Sequence, residues 1–146
     1  MIERTVIQSI PQQHPVCLPP SANVYKAACV MAEANCSSVL VVDANGLLVG
    51  ILTERDLMIR VLAKAQDPQH TRLMDVMTRE PFCVPPDTKV TDALVMMMDR
   101  GFRHLPLVDA HKTIMGVFSM RDAQPLELNS AIGLSEFGDQ LNDALA

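Results

Sequence analysis

The stretch GILTERD, residues 50–56, sets Gly50, Thr53 and Asp56 at intervals of three behind an apolar run. Residues 116–122, GVFSMRD, repeat the layout with Gly116, Ser119 and Asp122. Working outward from these two stretches, a shift of 66 positions gives an ungapped match of residues 7–56 with residues 73–122. Thirteen of the 50 pairs are identical, among them Cys17/Cys83, Pro19/Pro85, Pro20/Pro86, Val42/Val108 and Asp43/Asp109. Two copies, and no more, point to an internal pair related by a pseudo-twofold, not to a solenoid.

Each copy reads alike. A short apolar piece (Val16–Leu18; Phe82–Val84) ends in a proline pair. A helix follows, because Val24, Ala27, Ala28 and Met31, like Val90, Ala93, Leu94 and Met97, are spaced i, i+3, i+4, i+7. Ser21 and Asp87 are the expected N-caps. Two strands come next, VLVVD (39–43) with LLVGIL and LPLVD (105–109) with TIMGVF, turning at Asn45-Gly46 and at Ala110–Lys112. A last helix is expected from Thr53 and from Ser119. The fold class is α/β (α+β): β-α-β-β-α, twice in tandem. Domain 1 spans 6–62, domain 2 spans 73–123, a polar connection covers 63–72, and a C-terminal helical tail covers 124–146. A unit of roughly 50 residues buries little core alone, so the two copies are expected to pack on each other.

Bulk composition narrows the function. Nearly half the residues are apolar and a fifth are charged, which suits a globular chain. The formal charge of −5 and the scarcity of aromatics argue against a nucleic-acid partner. No apolar stretch approaches a membrane span and no signal peptide is visible, so no membrane partner and a cytoplasmic location are expected. The four cysteines form no CxxC pair and read as free thiols.

Thr53-x-x-Asp56 and Ser119-x-x-Asp122 have capping-box spacing. A single box of this kind is most simply a helix start. The same geometry also suits a nucleotide. Helix N-termini attract phosphate, a hydroxyl there can donate to it, and a carboxylate one turn in can accept both bonds of a ribose diol. Two boxes in one repeated apolar frame favour this second reading.

The chain resembles a tandem CBS-domain pair, or Bateman module. The resemblance covers residues 6–123 and rests on VLVVDANGLLVGILTERDL (39–57) and LMDVMTREPFCVPPDTKVTDALVMMMDRGFRHLPLVDAHKTIMGVFSMRD (73–122). It implies two clefts that bind AMP, ADP, ATP or S-adenosylmethionine. It implies ribose contacts for Asp56 and Asp122 and phosphate contacts for Thr53 and Ser119. By the same resemblance the base would lie by Val16 at the Asp122 cleft, and by Thr78 and Phe82 at the Asp56 cleft. Arg103 and His104 in copy two, and Ser37 and Ser38 in copy one, match positions that often meet phosphate. A homodimer is expected on the same analogy.

The two clefts are not expected to be equal. Arg103 can grip phosphate bidentately and His104 can donate, while Ser37 and Ser38 carry no charge. Pro125 falls six residues into the second final helix, where it removes a hydrogen bond, so that helix is expected to break early. The alternatives for Arg103 and His104 are a solvated arginine and a histidine satisfied by backbone.

Other features read as structure. Met96–Met98 suit core filling, Cys17 and Cys83 suit small buried hydrophobes, and the four histidines lack metal-ligand spacing. There is no Walker loop and no legible triad, so no enzyme is expected. In the tail, Leu134, Phe137, Leu141 and Leu145 form one stripe behind a Ser135 cap. Two functions compete: a regulatory sensor of adenosine ligands acting through a target protein or oligomer state, and an interaction module whose clefts stay empty.

Overall fold

The computed structural model describes residues 3–11 and 14–145. The chain divides into two compact units, residues 14–81 and residues 82–146 together with 1–13. The fold class is the expected mixed α and β one, but these units do not follow the repeat boundaries.

In the unit of residues 14–81, four strands form one sheet in chain order: β1 (Cys17–Leu18), β2 (Ser38–Val42), β3 (Leu48–Thr53) and β4 (Thr78–Arg79). β1 runs parallel to β2, with Cys17 opposite Leu40. β2 and β3 form a hairpin with Leu40 opposite Ile51, and β4 runs antiparallel to β3 with Thr78 opposite Ile51. Helix α2 (Val24–Ala34) buries Val24, Ala27 and Met31 against Val39, Val41 and Leu52. Val24 and Leu52 are essentially inaccessible, and full burial of such side chains contributes about 1.5–3 kcal/mol each.

The other unit is built the same way around the hairpin of β5 (His104–Val108) and β6 (Ile114–Ser119), with Leu107 opposite Gly116. Helix α5 (Val90–Arg100) buries Val90, Ala93, Leu94 and Met97 against Leu105, Leu107 and Phe118. The expected strand at Phe82–Val84 shrinks to one parallel bridge, Val84 to Leu107. Pro106 stands where Leu40 stands in copy one and has no N–H, so the Phe82 carbonyl lacks the bond that Leu40 gives to the Val16 carbonyl.

Short lead segments complete each core. Helix α4 (Leu73–Val76) docks on the turn that leads into α2: the Leu73 and Met74 N–H groups donate to the carbonyls of Ala22 and Pro20 at 2.8 and 3.1 Å. Helix α1 (Val6–Ser9) sits on α5: Val6 and Ile7 donate to Thr88 and Pro86 at 2.8 and 3.1 Å. Val6 and Leu73 are fully buried, each in the core of its unit. The lead segment of copy one thus belongs with copy two, and that of copy two with copy one.

The helix starts differ from expectation by two residues. The Ala22 N–H donates to Pro19 and the Thr88 N–H to Pro85, so Ser21 and Asp87 lie inside turns. Asn23 caps α2, its Oδ1 accepting from the Lys26 N–H at 2.8 Å, and Lys89 holds the cap position of α5. The hairpin turns match each other. Asp43 Oδ1 accepts from the N–H groups of Asn45 and Leu47, and Asp109 Oδ1 from those of His111 and Thr113. Gly46 and Lys112 then occupy equivalent left-handed positions at φ +80° and +64°.

The final helices diverge. In copy one, α3 (Glu54–Asp56) continues as a π-helix, Leu57–Leu62. In copy two, a single 3-10 turn, Met120–Asp122, ends at extended Ala123. Pro125 opens a new helix, α6 (Pro125–Leu145), where its missing N–H costs nothing. This helix is longer than the tail helix expected behind Ser135. Ser135 is no cap; its hydroxyl donates to Asp99 on α5 at 3.2 Å. Ala131 is buried in the core and Leu134 is 54% exposed, while the side chains of Phe137, Leu141 and Leu145 lie outside the described ones.

Candidate functional site

Thr53 ends β3 and begins α3 with extended backbone, φ −115° and ψ 166°. Its N–H and hydroxyl donate to Asp56 Oδ2 at 2.9 and 3.1 Å, and the Asp56 N–H donates to Thr53 Oγ1 at 3.3 Å. The capping box is therefore formed, and the Asp56 side chain keeps 14% of its surface. The Glu54 N–H donates to the carbonyl of Ser37. With two first-turn amides occupied, this helix start offers phosphate less than an open one.

The sheet gathers further residues expected at a site. Ser38 begins β2 directly opposite Thr53 and is 9% exposed. The Val16 carbonyl accepts from the Leu40 N–H just before β1. Thr78 begins β4 and is exposed. Strand register therefore puts Val16, Ser38, Thr53 and Thr78 at one end of a single sheet, with Asp56 one turn beyond.

Phe82, Arg103, His104, Ser119 and Asp122 belong to the other unit. Ser119 ends β6 opposite His104 and repeats the Thr53 backbone at φ −115° and ψ 152°. Its N–H donates to Asp122 Oδ2 at 2.8 Å. The Met120 N–H donates to the Arg103 carbonyl at 3.2 Å, as Glu54 does to Ser37. Arg103 is exposed and His104 half-buried. The Phe82 ring is 37% exposed, lies 6.3 Å from that of Phe102, and carries the Arg100 guanidinium 4.0 Å above it.

Two charged residues not expected from the sequence also touch the boxes, Arg60 and Arg4, and a third, Glu127, pairs with Arg4. Arg60 Nε lies 3.7 Å from Asp56 Oδ1, an i, i+4 pair that the sequence does display. Arg4 donates to the backbone carbonyl of Asp122 at 3.2 Å and pairs with Glu127 at 2.7 Å. No local signal announces a pair 123 positions apart.

None of the four cysteines forms a disulfide. Cys17 is exposed and Cys83 half-buried, so neither is the small buried hydrophobe expected, because each stands at the open end of a short apolar piece beside a proline pair. Partial desolvation still pushes both thiols up, away from the reactive thiolate. Among the described residues no group of three or more His, Cys, Asp or Glu side chains could hold a metal ion. No described helix is long and apolar enough to cross a membrane.

Comparison with known proteins follows the duplication. The chain is 32% identical over 108 residues to an uncharacterized protein of Methanopyrus kandleri, covering 74% of this chain and 55% of that one. It is 38% identical over 103 residues to an uncharacterized 17.7 kDa protein of Acidianus ambivalens, covering 70% and 61%. The chain thus spans little more than half the length of these curated relatives. Among solved structures, a protein with CBS domains from Burkholderia ambifaria superposes with a TM-score of 0.73 at 28% identity, over 80% of this chain and 86% of that one. A CBS domain protein from Pyrobaculum aerophilum complexed with AMP gives 0.79 at 22% identity, over 89% and 99%. A CBS domain pair in complex with 5′-methylthioadenosine and S-adenosyl-L-methionine gives 0.73 at 23%, over 82% and 95%. The sequence profile of the CBS domain matches residues 7–63 and 73–124, one match per copy of the repeat, and the chain belongs to the CBS-domain family.

Proposed function

We propose that this chain is a regulatory, non-catalytic module that binds an adenosine-containing ligand and signals by conformational or oligomeric change. The observation that carries the reading is one hydroxyl–carboxylate box built twice, at Thr53/Asp56 and Ser119/Asp122, at the same end of equivalent hairpins. Asp56 and Asp122 accept from the ribose diol, and Thr53 and Ser119 approach phosphate. Arg103, His104 and Ser38 add phosphate contacts, and Val16, Thr78 and Phe82 flank the base. AMP, ADP or ATP is the ligand, with S-adenosylmethionine as a further candidate. The fold neighbours solved with AMP and with S-adenosylmethionine support this class. Signalling requires different affinities for two states, read out by a target protein or a homodimer in the cytoplasm. Calorimetric titration of the purified, nucleotide-free chain with AMP, ADP, ATP and S-adenosylmethionine tests the reading. Saturable heat with one class supports it, and no heat with any overturns it.

A second reading has one observation in its favour. Both carboxylates already serve a helix start, through Thr53 and Ser119 N–H groups. On this reading the boxes are caps and the chain is an interaction module without ligand. Loss of stability without loss of any binding in Asp56→Ala would mark it.

A further inference from the structure

Arg60 holds together two parts of the first candidate site that the sequence keeps 22 residues apart, Asp56 and Thr78. Its Nη1 donates to the carbonyls of Val76 and Met77 at 2.9 and 3.1 Å. Val76 ends α4 and Met77 directly precedes Thr78 at the start of β4. The guanidinium is thereby fixed to the backbone that delivers Thr78. Its Nε faces Asp56 Oδ1 at 3.7 Å, while Asp56 Oδ2 is the oxygen taken by Thr53. The two carboxylate oxygens thus have different partners: Oδ2 is hydrogen-bonded in the box, and Oδ1 faces the arginine as an ion pair.

Copy two lacks this arrangement. The position equivalent to Arg60 is Leu126, beyond the break at Pro125 and 72% exposed. The arginine that reaches the second box, Arg4, comes from the lead segment and bonds the main chain of Asp122 and the side chain of Glu127.

We propose that Arg60 is a positioning residue: it sets the direction of the Asp56 carboxylate relative to the strand bearing Thr78, and so sharpens the first site for an intact ribose diol. This rests on the reading of Asp56 as a ribose acceptor. A guanidinium pinned by two carbonyls fixes an angle that a lysine, with one compact charge, holds less well. An arginine that only stabilised the fold would affect all ligands of the site equally.

The test is calorimetric titration of the full chain with AMP and with 2′-deoxy-AMP, for wild type, Arg60→Ala, Arg60→Lys and Asp56→Ala, each checked for cooperative thermal unfolding. Wild type is expected to prefer AMP by about tenfold, the worth of one well-placed hydrogen bond. Arg60→Ala is expected to bring that preference to within about threefold, and Arg60→Lys to restore part of it. Should Arg60→Ala fail to unfold cooperatively, Arg60→Lys alone decides, by a preference below that of wild type. Equal weakening for both ligands, with the preference kept, would overturn the positioning role and leave the site intact. If wild type takes ATP and not AMP, the same comparison is made with ATP and 2′-deoxy-ATP. Unchanged binding in Asp56→Ala, or no binding by wild type of AMP, ADP, ATP or S-adenosylmethionine, would overturn the ribose reading and this proposal with it.

Discussion

Arg4 and Glu127 close a two-bond ion pair, Nη2 to Oε1 at 2.7 Å and Nε to Oε2 at 3.1 Å, that ties the start of the chain to the first turn of α6. Arg4 Nη2 also reaches the carbonyl of Asp122, so the latch bears on the second box. Arg4→Ala should cost about 1–2 kcal/mol, the range for charge-assisted hydrogen bonds that are partly buried. Urea unfolding would measure it. Hydrogen exchange should quicken first at the Val6 and Ile7 amides, which bond to Thr88 and Pro86.

The same pair sets an acid limit. The hydrogen bonds from Arg4, helped by the Gln124 N–H, hold the Glu127 carboxyl below its ordinary value against the opposing effect of burial. The folded value lies below the unfolded one. The contribution is therefore complete above about pH 4.3 and is lost as pH falls through the folded value. The stability difference between wild type and Glu127→Gln should be flat from pH 7 to pH 5 and vanish in stronger acid.

Gly46 and Lys112 ask the same left-handed backbone of different residues. A Cβ at Gly46 meets nothing within 4 Å, so Gly46→Ala tests the backbone alone. It should destabilise by about 1 kcal/mol, and Lys112→Gly should stabilise by up to about 1 kcal/mol. Thermal melts of the two variants would move in opposite directions.

Asp56 has both a local and a ligand role on the reading above. Asp56→Ala removes the acceptor of the Thr53 N–H and should cost about 1 kcal/mol, too little to unfold the chain. AMP affinity should fall at least tenfold in the same variant, measured by calorimetry at a temperature well below its melt.

Leu73 lies in the second copy by sequence and in the core with Val24, Val39 and Leu52 by structure. Leu73→Ala should cost about 2–5 kcal/mol, as large-to-small changes at fully buried sites do. Exchange should quicken at amides of the first copy, notably Val24, whose N–H donates to Thr71 at 2.9 Å.

The hairpins and core helices were legible because their signals are local. Apolar runs ending at Asp43 and Asp109 fix the strands, and those aspartates build the turns with their own side chains. The early break before Pro125 was legible for the same reason. The helix caps were missed because a proline turn intervenes, and Ser21 and Asp87 fall inside it. The lead segments were missed for a deeper reason. Val6 and Leu73, the equivalent residues that open them, stand 67 positions apart, one more than the 66 that aligns the boxes. Their partners lie more than 45 residues away, at Ala22 for Leu73 and at Thr88 for Val6. At the candidate site, Asp56 and Thr53 could be read from spacing, whereas Arg60 reaches the segment leading into Thr78 only through the Val76 and Met77 carbonyls, which carry no sequence signature.

The exchanged lead segments change what a half-molecule is. A cut in the connection near Pro68, where the repeat invites it, would leave one fragment holding α1 without the groove it fills and another holding α4 in the same position. Neither fragment would own a closed core. Mixed together, each would supply the piece the other lacks, so the halves of this chain should behave as complementing fragments and not as two independent domains.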